Sequence, residues 1–384
     1  MQKISVNHFV DGFVAFLFAI SGPIAIMLSV TNTNQIDSQN VSIWLFGCFA
    51  INGFISIVVT LIFKQPLIFM WSIPGIILIG FSLKTYSIEE IVGVYLVTSF
   101  LLIFLSFTNL ITFLKKTIPK EIVMGMVAGI FMSFCISWIQ SLESYPVLSG
   151  AMTFVFFVLL IFSKKIKFLP PLLGCLIAGL IVIIFQTNID FHNVKPEIIT
   201  PFVTLPEFNK NAIIEITIPL IITVIFIQNG QGLALLESRG YKPPINHITY
   251  VCGFGSFFNA YFGAVSTCLT GPVTGIIIND PKVKNHAISA IIFSLLCILF
   301  GLYSPTVLEI LNKLPNEFII TLGGLALLTV LKQSFVESFK SDRSMGALIT
   351  FLVTLSGFSL FNIGAPFWGL VSGFIITKLI ENKN

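Results

Sequence analysis

Long apolar runs separated by short polar stretches occupy almost the whole of this sequence. A full membrane span needs about 20 apolar residues, so the pattern predicts an all-α polytopic membrane protein with about fourteen spans. No intervening stretch is long or polar enough to form a soluble domain. The predicted spans lie near residues 9–30, 42–63, 66–82, 88–108, 119–139, 146–163, 168–186, 212–236, 245–264, 266–279, 286–303, 316–331, 344–360 and 364–380.

The basic residues assign an orientation to these spans. With the N-terminus in the cytoplasm, 17 of the 21 lysines and arginines fall in predicted cytoplasmic segments. Cytoplasmic loops carry such an excess, and adding or removing one span would abolish it. The first apolar run is too long for a signal peptide and lacks a small-residue cleavage site. We therefore expect an uncleaved first span and both chain ends in the cytoplasm.

The two halves of the chain repeat one another. Seven spans per half is an odd number, so the second copy must cross the membrane in the opposite direction, as in the inverted repeats of many transporters. We assign residues 1–186 to the first repeat, 187–211 to an extracytoplasmic connector and 212–384 to the second repeat. At offsets of 195 to 198 residues, the recurring motifs begin at Pro119 and Pro315, at Pro171 and Pro366, and at Pro74 and Pro272.

The third and tenth spans are the shortest, and proline interrupts both. Pro74-Gly75 follows Ser72 in the third span, and Gly271-Pro272 follows Thr270 in the tenth. Proline lacks an amide hydrogen and disfavours helix in the residue before it, so each span is predicted to be a short extended segment followed by a half-helix. Matched breaks in two halves point to a transporter binding site. A purely structural kink is the alternative.

The half-helices suggest what such a site would bind. If both begin at one cavity, their free amides and positive ends favour an anion. Polar groups also interrupt the apolar first and eighth spans near the same depth, although close helix packing is their other interpretation. The predicted substrate-binding residues are Ser21, Trp71, Ser72, Ile73, Pro74, Gly75, Gln228, Asn229, Gln231, Cys268, Leu269, Thr270, Gly271 and Pro272.

Acidic residues avoid the centres of the predicted spans. Carboxylates at helix starts are usually partners of the helix dipole, whereas proton-coupled transporters often use an intramembrane carboxylate or histidine. Glu215 and Asp11 are therefore the candidates for proton coupling. The substrate's own carboxylate is the alternative.

Composition excludes several classes of function. The chain is 55% hydrophobic and 10% charged, whereas soluble proteins carry about 25% charged residues. Its net charge of +4 does not indicate a nucleic-acid partner. The six cysteines lack C-x-x-C spacing, and the sequence has no zinc-protease, nucleophile-elbow or nucleotide-binding motif. We expect neither an enzyme nor an ATP-driven pump, and no cofactor or metal.

Several segments together resemble the benzoate/proton symporter (BenE-type) family, and the resemblance runs over essentially the whole chain. They are residues 349–374, 314–328 and 66–75, and Gln228-Asn229 followed by Gly232 and by residues 239–244. The resemblance implies a secondary transporter of the bacterial inner membrane that takes up benzoate with protons. The sequence departs from the family pattern at two places: Gln231 stands where proline is usual, and Cys268 where asparagine is usual, with Gly271-Pro272 in place of alanine-rich sequence.

The resemblance also implies the seven-plus-seven inverted-repeat fold of uracil permease and sulfate-permease-like transporters. In that fold, spans 1–4 and 8–11 form a core domain, here about 1–108 and 212–303. Spans 5–7 and 12–14 form a gate domain, here about 119–186 and 316–380. Substrate would sit between the half-helices of spans 3 and 10, beside spans 1 and 8. Homodimers through the gate domain are common in this fold.

The expected function is import of a small organic anion, benzoate or a similar carboxylate, by proton symport, with the core moving against the gate in the lipid bilayer. Within the same fold, the alternatives are a nucleobase-type carrier and an inorganic-anion carrier or exchanger. The nucleobase reading is the weaker one, because the spans lack a central glutamate. An anion channel is the alternative from a different class; saturation and counterflow would separate carrier from channel.

Overall fold

A computed structural model describes residues 6–108, 119–162, 170–186, 194–278, 285–341, 343–358, 360 and 365–381. Both chain ends and residues 187–193 of the predicted connector lie outside these ranges. The described chain is almost entirely helical. In order, its elements are α1 (Val6–Thr33), α2 (Ser38–Phe63), β1 (Phe69–Trp71), α3 (Ile73–Ser82), α4 (Ile88–Ser106), α5 (Lys120–Ser144), α6 (Pro146–Ile161), α7 (Pro171–Gln186), α8 (Lys210–Ser238), α9 (Ile245–Tyr261), β2 (Thr267–Leu269), α10 (Gly271–Ile277), α11 (His286–Leu302), α12 (Ser304–Asn312), α13 (Asn316–Ser338), α14 (Ser344–Leu355) and α15 (Ala365–Ile376).

Proline marks several helix starts, as the sequence pattern predicts. α6 and α7 begin with Pro146 and Pro171, while α5 and α13 follow Pro119 and Pro315. Proline at the first turn costs no hydrogen bond, because the amide it lacks would have no partner within the helix. α12 has no counterpart among the predicted spans; it follows α11 after a bend of 73°.

The helices differ widely in length. Within the described residues, six are long and apolar enough to cross a membrane, judged by length and composition alone, or seven if α11 and α12 together count as one bent span. Four more, α3, α6, α7 and α14, are apolar but only 10–17 residues long. The short helices include the one that follows the first proline break.

The two strands form a buried antiparallel pair. Phe69 faces Leu269, Met70 faces Cys268 and Trp71 faces Thr267. The short extended segments predicted in spans 3 and 10 are thus present. Met70 and Cys268 are 198 residues apart, the same offset as the two prolines of the breaks. Equivalent positions that face each other in antiparallel strands are what a two-fold axis in the membrane plane would produce.

The helices pack in two groups. The first helix group contains α1–α4, α8–α11 and both strands; within it α9 packs on α4, and α11 packs on α1 and α2. The second helix group contains α5–α7 and α13–α15, and its largest contact joins α5 to α13. The groups meet where α1 packs on α13, α3 on α5, and α8 on α15.

Residues 194–209, called the strap here, run in irregular conformation before α8. Backbone N–H groups of the strap donate to the carbonyl oxygens of Leu302, Tyr261 and Glu89, each at 2.9 Å. These acceptors belong to α11, α9 and α4. The strap therefore ties together three helices of the first helix group.

Candidate functional site

The first break is completed by hydrogen bonds from its own residues and from α8. Ser72 is the N-cap of α3, and its Oγ accepts a hydrogen bond from the N–H of Gly75 at 3.1 Å. The same Oγ lies 3.3 Å from Oγ1 of Thr223 in α8, and the Ser72 N–H donates to the carbonyl of Ser266 at 3.1 Å. The buried serine thereby satisfies one of the amides that a helix start leaves unpaired.

The second break is built differently. Thr270 is the N-cap of α10, but its side chain makes no capping hydrogen bond. Its N–H donates to the carbonyl of Ile68 at 3.0 Å. Gln231 of α8 lies against the next residue: a Cβ added to Gly271 would be 2.5 Å from Cγ, Cδ and Oε1 of Gln231. Glycine at position 271 therefore leaves room for the glutamine beside the first turn of α10.

The sheet separates the two helix starts. Because the strands are antiparallel, Ser72 leaves the sheet beside Ser266, whereas Thr270 leaves it beside Ile68. The four residue rises from Ile68 to Ser72, at about 3.3 Å each, put the two starts about 13 Å apart along the strands.

Asn229 of α8 fixes the position of β2. Its Oδ1 accepts a hydrogen bond from the N–H of Leu269 at 2.8 Å, and its Nδ2 lies 3.4 Å from Sγ of Cys252. α8 widens into a π-helical turn at Thr223–Gln228 immediately before this residue, and such turns are frequent at functional sites. Gln228 is buried, and the structure gives its side chain no hydrogen bond within the described residues.

Two serines outside the predicted site hold the strands in place. Oγ of Ser56 accepts a hydrogen bond from the N–H of Phe69 at 2.8 Å, and Oγ of Ser256 accepts one from the N–H of Thr267 at 3.0 Å. The serines lie on α2 and α9 and are 200 residues apart. That spacing, close to the repeat offset, is the signal from which they could have been found.

A buried amide network adjoins these serines. Oδ1 of Asn52 accepts hydrogen bonds from Nδ2 of Asn259 at 3.0 Å and from Oγ1 of Thr267 at 2.8 Å. All three residues are fully buried, and such a network is costly unless most of its members are paired. No local sequence motif predicts this network, because its members come from three separate elements, α2, α9 and β2.

The Ser21-Gly22-Pro23 segment of the first span lies within α1 and leaves the helix unbroken. The helix continues through Pro23, and Oγ of Ser21 donates to the carbonyl of Phe18 at 2.9 Å. Gly22 permits close packing instead, since a Cβ there would lie 2.5 Å from Cβ of Ala326 in α13. α1 thus meets the second helix group at this point.

The remaining predicted site residues are mostly packed. Trp71 is 3% exposed, its ring centroid lies 4.7 Å from that of Phe49, and its Nε1 has no hydrogen-bond partner within the described residues. Cys268 and Leu269 are fully buried in an apolar cluster. Pro74 is buried, whereas Ile73 and Pro272 are half-buried. The side chain of Cys268, in the middle of β2, therefore packs in the apolar interior rather than at an open surface.

The two acidic candidates lie near the starts of the first and eighth predicted spans, Asp11 in α1 and Glu215 in α8. Asp11 is half-buried, whereas Glu215 is 8% exposed and accepts hydrogen bonds from the Tyr86 hydroxyl at 2.8 Å and the Ser82 hydroxyl at 3.3 Å. In an inverted repeat, the two carboxylates would lie near opposite membrane surfaces.

The described part of the chain contains no group of three or more histidine, cysteine and acidic side chains that could hold a metal ion. All six cysteines lie in it, and each is buried without a disulfide. The chemistry at the breaks is therefore that of hydroxyl, amide and backbone N–H groups.

The family model described as benzoate membrane transport protein (BenE) matches residues 2–379 of this chain. The chain belongs to the BenE family. Two relatives of this BenE-family protein are each 26% identical to it: inner membrane protein YdcO of Escherichia coli (97% of this chain, 96% of the relative) and the benzoate membrane transport protein of Acinetobacter baylyi (97% and 95%).

Two solved structures share the fold. The transmembrane domain of a cyanobacterial bicarbonate transporter, BicA, has a TM-score of 0.66 and 15% identity, covering 97% of this chain and 98% of that one. SLC26A9 has a TM-score of 0.65 and 13% identity over 98% of this chain, which spans 65% of the SLC26A9 chain. The predicted fold class is confirmed. As a member of a family of membrane transport proteins, the BenE-family protein is a membrane transporter and not an enzyme.

Proposed function

We propose that this BenE-family protein is a secondary active transporter that imports a small organic anion, benzoate or a similar carboxylate, together with protons. The geometry of the two breaks carries the proposal, because α3 and α10 both begin in the buried interior beside α8. Helix starts favour negative charge. Ser72, Thr270, Gln228 and Gln231 add hydrogen-bonding groups there without adding a negative charge.

The two helix groups support an alternating-access mechanism. We assign the first helix group to a core domain of about 1–108 and 212–303, and the second to a gate domain of about 119–186 and 316–380. Both breaks belong to the core, so they would move together while the contacts of α1, α3 and α8 with the gate rearrange. We place the protein in the bacterial inner membrane with both chain ends in the cytoplasm, as the lysine and arginine distribution indicates.

Proton symport would make the transport of a monovalent carboxylate electroneutral. One proton entering with one benzoate moves no net charge, so the pH gradient alone could drive accumulation.

Uptake by proteoliposomes tests the function directly. With an imposed inward proton gradient, we expect saturable accumulation of labelled benzoate and counterflow by unlabelled benzoate. Uptake that does not depend on the proton gradient would favour uniport or exchange. A flux that does not saturate with benzoate concentration would favour a channel. Thermal stabilisation of the purified protein by benzoate, compared with uracil and bicarbonate, tests the substrate class, because a ligand of the native state raises its apparent stability.

A further inference from the structure

Glu215 is exceptional among the charged residues of this protein. Of the acidic, lysine and arginine side chains in the described ranges, it alone is buried. Its two carboxylate oxygens accept hydrogen bonds from neutral hydroxyls, Tyr86 to Oε2 and Ser82 to Oε1. Both donors belong to the end of α3 and the turn after it, so the carboxylate joins α8 to α3.

Glu215 also lines a cavity of about 350 Å³ between the two helix groups. On one side the walls are α3 and α8; on the other they include Ser133 of α5, Thr354 of α14 and Pro366 of α15. Lys84 lies at this cavity and also lines an adjoining cavity of about 270 Å³. Lys84 falls between the third and fourth predicted spans, a segment that the lysine and arginine distribution assigns to the outside, so both cavities would lie on the external side of the membrane.

The charges around this cavity are few. Glu215 and Lys84 are the charged groups among the described residues that line it; those contributed by α5, α14 and α15 are uncharged. Glu90 of α4 binds Asn209 through Oε1, and Lys210 begins α8. Burial, followed by the hydrogen bond to Glu215, raises the pKa of Tyr86, so its hydroxyl remains a donor.

We propose that this cavity is the outer vestibule for the anionic substrate, and that protonation of Glu215 admits the anion. The inference rests on the proposed import of a small carboxylate. Lys84 attracts the carboxylate, whereas an ionised Glu215 repels it across a cavity too small for the two charges to be well separated. When external acid protonates Glu215, the repulsion ends and the anion moves on toward the breaks.

The kinetic test compares KM for benzoate at external pH values of about 5.5 and 8. Coulomb repulsion over several ångströms, at the effective dielectric constant of a protein, predicts a KM on the order of tenfold higher at the alkaline pH. Glu215→Gln should keep the low KM at both values, because glutamine is neutral and has nearly the same volume. Its amide oxygen can accept the Tyr86 hydrogen bond, while its NH2 group can donate to the Ser82 hydroxyl oxygen. Glu207→Gln, an exposed strap residue, is the matched control and should behave like the native protein.

Tyr86→Phe separates titration of Glu215 from a general structural effect. Loss of the hydroxyl removes a hydrogen bond that stabilises the ionised carboxylate. The low-KM form should then persist to a higher external pH. If both Glu215→Gln and Tyr86→Phe retain the native pH profile, the role given to Glu215 is wrong, even though benzoate uptake itself stands.

Thiol labelling tests the vestibule without transport. The native cysteines are all buried, so Ser133→Cys offers one accessible site, and the Ser133 hydroxyl bonds only to its own helix, at Ile130. We expect a membrane-impermeant thiol reagent added outside to label Cys at position 133, and benzoate to slow the labelling. If benzoate leaves the labelling rate unchanged, the cavity is not the vestibule for the substrate. If benzoate slows labelling but a proton gradient does not drive uptake, only the proposed proton coupling is contradicted.

Discussion

The two broken spans follow similar backbone paths, but their side-chain contacts differ. Each span begins with a three-residue strand, and the two strands pair with each other. Each strand is followed by a helix with a proline in its first turn. The first start is capped by its own Ser72, whereas Thr270 provides no cap at the second, where Gln231 lies beside Gly271. Symmetry thus sets the path of the chain, and individual side chains make the two ends of the site different.

α8 connects the two breaks and supports them unequally. At the start of its π-helical turn, Thr223 contacts Ser72. Directly after the turn, Asn229 accepts a hydrogen bond from the N–H of Leu269. The first break would keep its cap without α8. The second would lose the acceptor that pairs a buried backbone amide of β2.

Asn229→Ala should therefore have the largest effect on stability. Leaving the buried N–H of Leu269 without its acceptor costs about 1–3 kcal/mol, and we expect the upper part of that range because the contact with Cys252 is lost as well. The thermal unfolding midpoint of the purified protein in detergent measures this. Gln228→Ala is the neighbouring control, and an equal loss from it would show that the hydrogen bond to β2 is not the cause.

Gly271→Ala should have the next largest effect, and Gln231 should determine it. The new Cβ would overlap Gln231, and overpacking of this kind costs about 1–3 kcal/mol. Gln231→Ala in the same chain should restore much of the unfolding temperature and of benzoate uptake. If the double variant is no better than Gly271→Ala alone, the glutamine is not what makes glycine necessary there.

Ser72→Ala should have a smaller effect that distinguishes the two helix starts. Loss of an N-cap hydrogen bond costs about 1 kcal/mol, whereas Thr270→Val removes no capping bond and should cost less. The two unfolding midpoints, measured side by side, check this. Equal losses would mean that the second start is capped in solution as the first one is.

The breaks could be predicted because their cause is local. Proline removes its own amide and constrains the preceding residue, so Pro74 and Pro272 mark the same event wherever they occur. Repetition at a constant offset then indicated that the two events belong together. The pairing of Met70 with Cys268 follows from that relation.

Side-chain partners could not be predicted in the same way. Asn229 was predicted to contact substrate, but its acceptor oxygen binds a backbone amide 40 residues further along the chain. The contact between Asn52 and Asn259 spans 207 residues. Such pairs depend on how whole helices pack. The same holds for the close approach of Gly22 in α1 to Ala326 in α13, two residues that are far apart in the sequence.

In the proposed orientation the strap lies outside the cell, where a label attached to it could follow motion of the transporter. Its backbone is bound to the ends of α4, α9 and α11, and to no helix of the second group through those bonds. A fluorophore or antibody fragment fixed to an exposed strap residue such as Glu207 would therefore travel with the first helix group, the proposed core domain. Measured against a second label on the other half, it would report the stroke of each transport cycle from outside the cell.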